Sequence, residues 1–223
     1  MSLKTEKARD PYDGVRPWSA ITHSAGAVFG LLAGPFLIMR AYASRLSGAV
    51  PAVAVYLATL IGLYTASTLY HSLRTNVAGR ILLKKVDHTN IYLLIAGSYT
   101  PLCILVLGGV LGTALLAVIW SLALIGVMVT FVWVHLPRWL TSGIYLLMGW
   151  IAMFAIYPLS QSLGAVGTFW LLFGGGLYTI GGILYAVKWP CRDNLRFGCH
   201  EIFHLFILFG SIAQFWAVWY AAG

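Results

Sequence analysis

Long apolar stretches dominate the chain, and each has about the length that crosses a lipid bilayer. A transmembrane helix needs roughly 20 predominantly apolar residues. Seven such stretches occur, separated by short polar or basic segments. They cover residues 20–39, 50–71, 88–107, 111–134, 142–160, 166–187 and 200–220. The pattern predicts an all-α polytopic membrane protein built as a bundle of seven transmembrane helices.

Glycine and proline residues mark the breaks in this pattern. Gly108-Gly109 and Leu163-Gly164 predict tight turns between helices, and Pro101 predicts a kink near the end of the third helix. No polar linker divides the apolar part of the chain. We therefore predict a cytosolic N-terminal tail over 1–18 and one transmembrane domain over 19–223.

The amino-acid composition is typical of a membrane protein, and the placement of its charges indicates which partners to expect. Hydrophobic residues make up 60% of the chain and charged residues 9%, whereas about a quarter of a soluble domain is charged. The net charge of +8 is also typical of nucleic-acid-binding proteins. Here, however, the basic residues lie at the ends of the apolar stretches, where they interact with anionic headgroups. We predict contact with the membrane and none with nucleic acid.

The basic residues also predict the orientation of the bundle. Twelve of the fourteen Lys and Arg residues lie in the N-terminal tail and in the second, fourth and sixth connections. Only Arg40 and Arg45 lie on the other side. Because basic segments stay in the cytosol, we expect a cytosolic N-terminus and an external C-terminus, in the plasma (bacterial inner) membrane.

Four ionisable residues are expected at the same membrane depth. His71 ends the second apolar stretch, Asp87 opens the third, and His200 with His204 opens the seventh. All of these ends adjoin predicted cytosolic connections. Ionisable groups are costly inside a membrane and therefore indicate function. The four residues therefore predict a functional site near the cytosolic face of the membrane.

Metal chemistry accounts for these residue types. Three imidazoles leave a Zn²⁺ ion with an open position, and the ion lowers the pKa of a bound water to about 7. We predict zinc bound by His71, His200 and His204. Asp87 is predicted either as the fourth ligand or as a base that orients the water. Ser67, one helical turn before His71, is predicted to hydrogen-bond that water or a substrate oxygen, so Asp87 and Ser67 are the candidate catalytic residues.

Further polar residues predict a cavity. Ser211 and Gln214 fall on the face of the seventh helix that carries the histidines, and Asn90 and Ser98 align with Asp87 on the third. Lipid cannot satisfy such stripes, so they are expected to face inward. A polar cavity with apolar walls suits a lipid or lipid-like ligand.

Two residues near the site allow other interpretations. Residues 200–204 read HEIFH, a string in which zinc proteases use the glutamate as general base. Only 19 residues follow His204, and none is His, Asp or Glu. We therefore favour Glu201 as an interfacial or loop-contacting residue, with a catalytic base as the alternative. His23 is predicted to be a structural hydrogen-bonding residue.

Four segments resemble the hemolysin III branch of the progestin-and-adipoQ receptor family, whose wider superfamily includes alkaline ceramidases. They read ITHSAG, LYTASTLYHSL, KVDHTNIYLLIAGSYTP and RFGCHEIFHLFILFGS. The resemblance implies seven helices and zinc held by the three histidines, with the aspartate close by or reached through water. It also implies metal-dependent hydrolysis of lipid amides and a link to membrane lipid homeostasis. One segment differs from the family's pattern. The family usually has a glutamate and an asparagine before ITH, whereas this chain reads RPWSAITH.

The sequence therefore favours a zinc-dependent hydrolase of lipid amide or ester bonds, and it leaves open whether the protein is an enzyme. A non-enzymatic receptor or sensor of the membrane state, with structural zinc, is the main alternative. A pore-forming hemolysin is suggested by the family name alone. Formation of a homo-oligomer is compatible with the sequence.

Overall fold

The computed structural model describes residues 15–133, 136–190 and 197–223, and within these residues it contains helices and connections without strands. The α-helices are α1 (Pro17–Ser44), α2 (Ala49–Ser72), α3 (Val77–Pro101), α4 (Gly109–Val132), α5 (Arg138–Trp150), α6 (Ile156–Val187) and α7 (Cys199–Ala221). A π-helical turn, Leu102–Leu107, follows α3, and a 3₁₀ turn, Ile151–Ala155, joins α5 to α6. The predicted all-α class is confirmed.

In this part of the chain, six helical segments are long and apolar enough to cross a membrane. They are α1, α2, α3 with its π-helical turn, α4, the stretch Arg138–Val187 and α7. Because a bilayer core accepts helices whose backbone groups are satisfied internally, these segments define a polytopic all-α membrane protein.

The stretch Arg138–Val187 doubles back on itself at Gly164. Gly164 has φ 67° and ψ 179°, which interrupts the helical backbone of α6. Residues before and after Gly164 contact each other: Trp150 Nε1 donates a hydrogen bond to Thr179 Oγ1 at 3.1 Å. Leu146 packs against Gly182 in the same interface. Both pairs lie almost symmetrically about Gly164, so the two halves of the stretch run antiparallel.

We expect a Gly164→Ala variant to be less stable by about 1–3 kcal/mol, because its φ/ψ combination is one that residues with a Cβ adopt only under strain. No neighbouring atom lies within 4 Å of the added methyl group, so the loss is conformational and not steric. Unfolding of the purified protein in detergent measures it. Gly143→Ala, at a helical glycine that also has open space, is the matched control and should lose nothing; equal stability of both variants would contradict the account.

The third helix begins earlier than the apolar pattern predicts. Asn76 caps α3 by accepting a hydrogen bond from the backbone N–H of Gly79 at 2.9 Å. The first turns are basic, and Lys85 Nζ donates to the Phe131 carbonyl at 2.7 Å. Hydropathy marks the part of a helix within lipid, not the polar turns beyond it. The expectation that Asp87 opens this helix is therefore wrong: it lies inside α3.

Pro101, predicted as a kink, is the last residue of α3, and the regular helix widens into the π-helical turn directly after it.

Close helix packing brings α1, α2 and α7 together. Gly26 of α1 lies directly against the ring of Tyr64 on α2, and Gly210 of α7 lies against the ring of Tyr178 on α6. Small residues allow this approach in membrane helices. Tyr64 Oη also donates to the Ile207 carbonyl of α7 at 3.2 Å. These contacts hold the C-terminal end of α2 beside the N-terminal end of α7, the two ends that the sequence predicts to face the cytosol.

Candidate metal centre

Three buried histidines converge where α2 ends and α7 begins. His71 is the penultimate residue of α2, and His200 and His204 occupy successive turns of α7. One ligand nitrogen from each can be chosen so that all three lie within 4.8 Å of one another. Of the described residues, these three form the group that could hold a metal ion. The sequence prediction that they come together is correct.

The spacing of the imidazoles fits a shared cation. His71 Nε2 and His200 Nε2 face each other at 3.2 Å. Two nitrogens that each lie 2.0–2.1 Å from a tetrahedral zinc ion are about 3.3–3.4 Å apart. His71 is fully buried and His204 is 2% exposed, so bulk water does not serve these nitrogens. The donor set of three imidazoles suits zinc and its neighbours among the transition metals.

Asp87 and Ser67 lie beside this group in the wall of one cavity. Both are buried, with Asp87 on α3 and Ser67 one turn before His71 on α2. The Ser67 hydroxyl lies near the Asp87 carboxyl group but is left without a hydrogen-bond partner. Asp87 is not part of the group whose ligand atoms lie within 4.8 Å. Its catalytic and ligand roles, and that of Ser67, stay predictions.

The cavity has a volume of about 610 Å³ and mainly apolar walls, within the usual range of 300–1,000 Å³ for small-molecule sites. It runs from the histidines to Leu102, Ile156 and Leu171. Of the predicted polar stripe residues, Ser98 and Gln214 line it.

The other two predicted stripe residues make contacts of their own. Ser211 Oγ lies 2.9 Å from Tyr178 Oη, and Asn90 Nδ2 donates to the Val86 carbonyl at 2.8 Å. Neither is among the residues that line the cavity. A polar stripe read from helix periodicity therefore gives the buried face, but it does not separate cavity-lining side chains from those that bond within or between helices.

Glu201, the central acid of the HEIFH string, is bound on both carboxylate oxygens. Arg16 Nη1 donates to Oε1 at 2.8 Å, and Ser19 Oγ donates to the same oxygen at 3.0 Å. The Gly198 backbone N–H donates to Oε2 at 2.8 Å. Glu201 is 1% exposed, so in this conformation its carboxylate joins α1 to the start of α7, and both of its oxygens already accept hydrogen bonds.

Sequence reasoning missed Arg16 as a contributor to the site. Besides its ion pair with Glu201, the Arg16 backbone N–H donates to the His71 carbonyl at 2.9 Å. Arg16 thus contacts both helix ends that carry the histidines. The available signal was the segment RPWSAITH, which lacks the glutamate and asparagine that the resemblance leads one to expect before ITH.

His23 has a different place from the predicted one. Neither ring nitrogen has a hydrogen-bond partner, so its predicted structural hydrogen bond is wrong. Its ring stacks on the ring of His204, with centroids 3.6 Å apart and planes 17° apart. Tyr64 packs edge-on against the same ring, with centroids 5.0 Å apart. His23 also lines the cavity.

These features define an all-α membrane protein whose buried histidine cluster opens on an apolar cavity. The chain belongs to the haemolysin III family: residues 17–215 match the model described as Haemolysin-III related. It is similar to "Hemolysin-3" of Bacillus cereus, with 40% identity over 200 residues, 90% of this chain and 88% of that protein. It is also similar to the "Hemolysin-3 homolog" of Bacillus subtilis (strain 168), with 38% identity over 200 residues, 90% and 91% of the two chains. The hemolysin III resemblance is confirmed, and the matched span contains the three histidines, Asp87 and Ser67.

Proposed function

We propose that this protein is a zinc-dependent hydrolase of lipid amide or ester bonds that acts in membrane lipid homeostasis. The observation that carries the proposal is the position of the histidine group. Three buried imidazoles lie at metal-ligand spacing, and two of them, His200 and His204, line an apolar cavity together with a buried carboxyl group, that of Asp87. An open metal position beside a carboxylate and an apolar pocket is the arrangement that hydrolysis of a long-chain substrate requires.

The ion would be held by His71, His200 and His204. When bound, zinc lowers the pKa of a water to about 7 and polarises a carbonyl group. Asp87 accepts a proton as the water oxygen bonds to the carbonyl carbon, and returns it to the nitrogen or oxygen that leaves. Ser67, whose hydroxyl is buried without a hydrogen-bond partner, would hydrogen-bond that water or a substrate oxygen. The apolar walls bind the acyl chain and exclude other water.

The placement of this site in the membrane is part of the proposal. A straight helix of 50 residues would be about 75 Å long, whereas a bilayer core is about 30 Å thick. The antiparallel packing about Gly164 therefore supports two crossings by Arg138–Val187 and seven in total. With a cytosolic tail over 1–18, of which 1–14 lie outside the described residues, the domain over 19–223 has the histidines near the cytosolic face of the bacterial inner membrane.

Metal analysis and lipid turnover test the proposal together. We expect about one zinc per purified chain, near-complete loss of it in His204→Ala, and release of fatty acid from a lipid amide or ester by the wild type but not by His204→Ala. Ser211→Ala is the matched control on the same helix, because Ser211 bonds to Tyr178 and not to the histidines. Full zinc occupancy without turnover across a broad lipid panel would contradict the enzymatic function.

A sensor or receptor with structural zinc is the second candidate, favoured by the distribution of the histidines over two helices. An ion bound to His71 and to His200 and His204 links α2 to α7, and metal binding then contributes free energy of folding. If this candidate is correct, chelation lowers the melting temperature of the protein, and any lipid turnover measured in the preparation stays the same. Unchanged stability and lost turnover after chelation would exclude it.

A further inference from the structure

We propose that His23 is a ligand-contacting residue of the cavity, whose ring donates a hydrogen bond to the carbonyl oxygen of a bound lipid amide or ester. The class of ligand rests on the proposed function. The role of His23 rests on its own burial, contacts and lack of partners.

The first argument is the unmet hydrogen bonding of the ring. His23 is 4% exposed, and Nδ1 and Nε2 are both buried without a partner. A buried polar group that is left unsatisfied costs about 1–3 kcal/mol, and such groups in native proteins call for an explanation, often a ligand or a functional role. An apolar side chain at this position would avoid the penalty.

The second argument is that packing does not require an imidazole here. The ring lies between the edge of Tyr64 and the face of His204. A phenyl ring offers the same flat faces for these two contacts. The distinguishing property of histidine in this position is therefore its ring nitrogens, since these are the atoms that the fold leaves without a partner.

The third argument is location. His23 lines the cavity together with Ser67, Asp87 and His204, so a molecule in the cavity lies against this residue. A substrate carbonyl presented to the histidine group would lie next to the stacked rings of His204 and His23. An imidazole provides an N–H donor for it. During attack by water the carbonyl oxygen gains negative charge, and a positioned donor typically contributes about 10²- to 10³-fold to kcat.

Binding of two matched probes to His23→Phe tests the proposal. The variant keeps an aromatic ring and removes the nitrogens. Oleamide carries a carbonyl group, and 1-octadecene has a chain of the same length without one. We expect His23→Phe to bind oleamide about tenfold more weakly, the equivalent of one hydrogen bond, with unchanged octadecene affinity and zinc content. His23→Gln, which keeps a donor, should recover part of the oleamide affinity.

Several results would overturn the proposal. Equal oleamide affinity in wild type and His23→Phe would show that the nitrogens contact no ligand. Parallel loss of both probes, or loss of zinc, would show that the ring serves packing around His204 instead. If His23→Phe does not fold, ¹⁵N spectra of histidine-labelled protein decide: oleamide, and not octadecene, must shift a ring nitrogen that lies outside the three proposed metal ligands and that persists in His88→Gln and in His135→Gln, which leaves His23. Probe binding that depends on His23 in a protein without turnover would keep this inference and reject the hydrolase.

Discussion

Glu201→Ala is expected to lower the free energy of unfolding by about 3–5 kcal/mol, because removing one partner of a buried ion pair leaves the other charge uncompensated. Arg16 is 5% exposed and Glu201 1% exposed, and their side chains meet at 2.8 Å. The substitution also leaves Ser19 Oγ and the Gly198 N–H without their acceptor. Denaturant unfolding of the purified protein in detergent measures the change.

The ion pair also predicts an effect on metal affinity. Arg16 holds the His71 carbonyl through its backbone N–H, and Glu201 follows His200 directly. Loss of the pair should therefore weaken zinc binding along with the fold. In a double-mutant cycle, Arg16→Met combined with Glu201→Met should lose less stability than the two single changes together, since no charge is left unpaired. Additive losses, or a change under about 1 kcal/mol in Glu201→Ala, would be incompatible with this ion pair.

Asp87→Asn is expected to lower kcat by about 10²- to 10⁴-fold, the usual contribution of a general acid–base residue, and to leave the zinc content intact. The zinc should remain because Asp87 lies outside the group of ligand atoms formed by the three histidines. Asparagine has nearly the same shape but cannot accept the proton of the attacking water. Lipid turnover and metal analysis on the same preparation measure both effects.

Asn90→Ala is the matched control for this prediction. Asn90 lies on α3 less than one turn from Asp87, and its side chain bonds to the Val86 carbonyl of its own helix. It should change neither turnover nor zinc content. If Asp87→Asn released the metal, Asp87 would be a direct zinc ligand, and if it kept full turnover, another residue would have to act as the base.

The sequence predicted the helices and the histidine group because both follow from local patterns. Apolar stretches of bilayer length give helices, and the ends of such stretches give membrane depth. His71, His200 and His204 lie at ends that adjoin connections on the same predicted side, so their convergence followed from topology. The beginning of α3 at Val77 did not follow, since Asn76 capping and basic first turns add helix that hydropathy does not mark.

The contacts of α1 could not be predicted in this way. Arg16 and Glu201 are separated by 185 residues along the chain, and their ion pair depends on how α1 packs between the ends of α2 and α7. The same packing places His23 on His204. Helix rotation and close approach at Gly26 determine these pairs, and hydrophobic periodicity does not specify either.

The division of the histidines between α2 and α7 has a consequence for biosynthesis. One imidazole belongs to α2, whereas the other two lie in α7. All three histidines therefore coexist only after α7 has been translated and inserted into the membrane. A metal ion held by all three would consequently bind only after α7 is in place, and a nascent chain arrested ahead of α7 would present His71 alone.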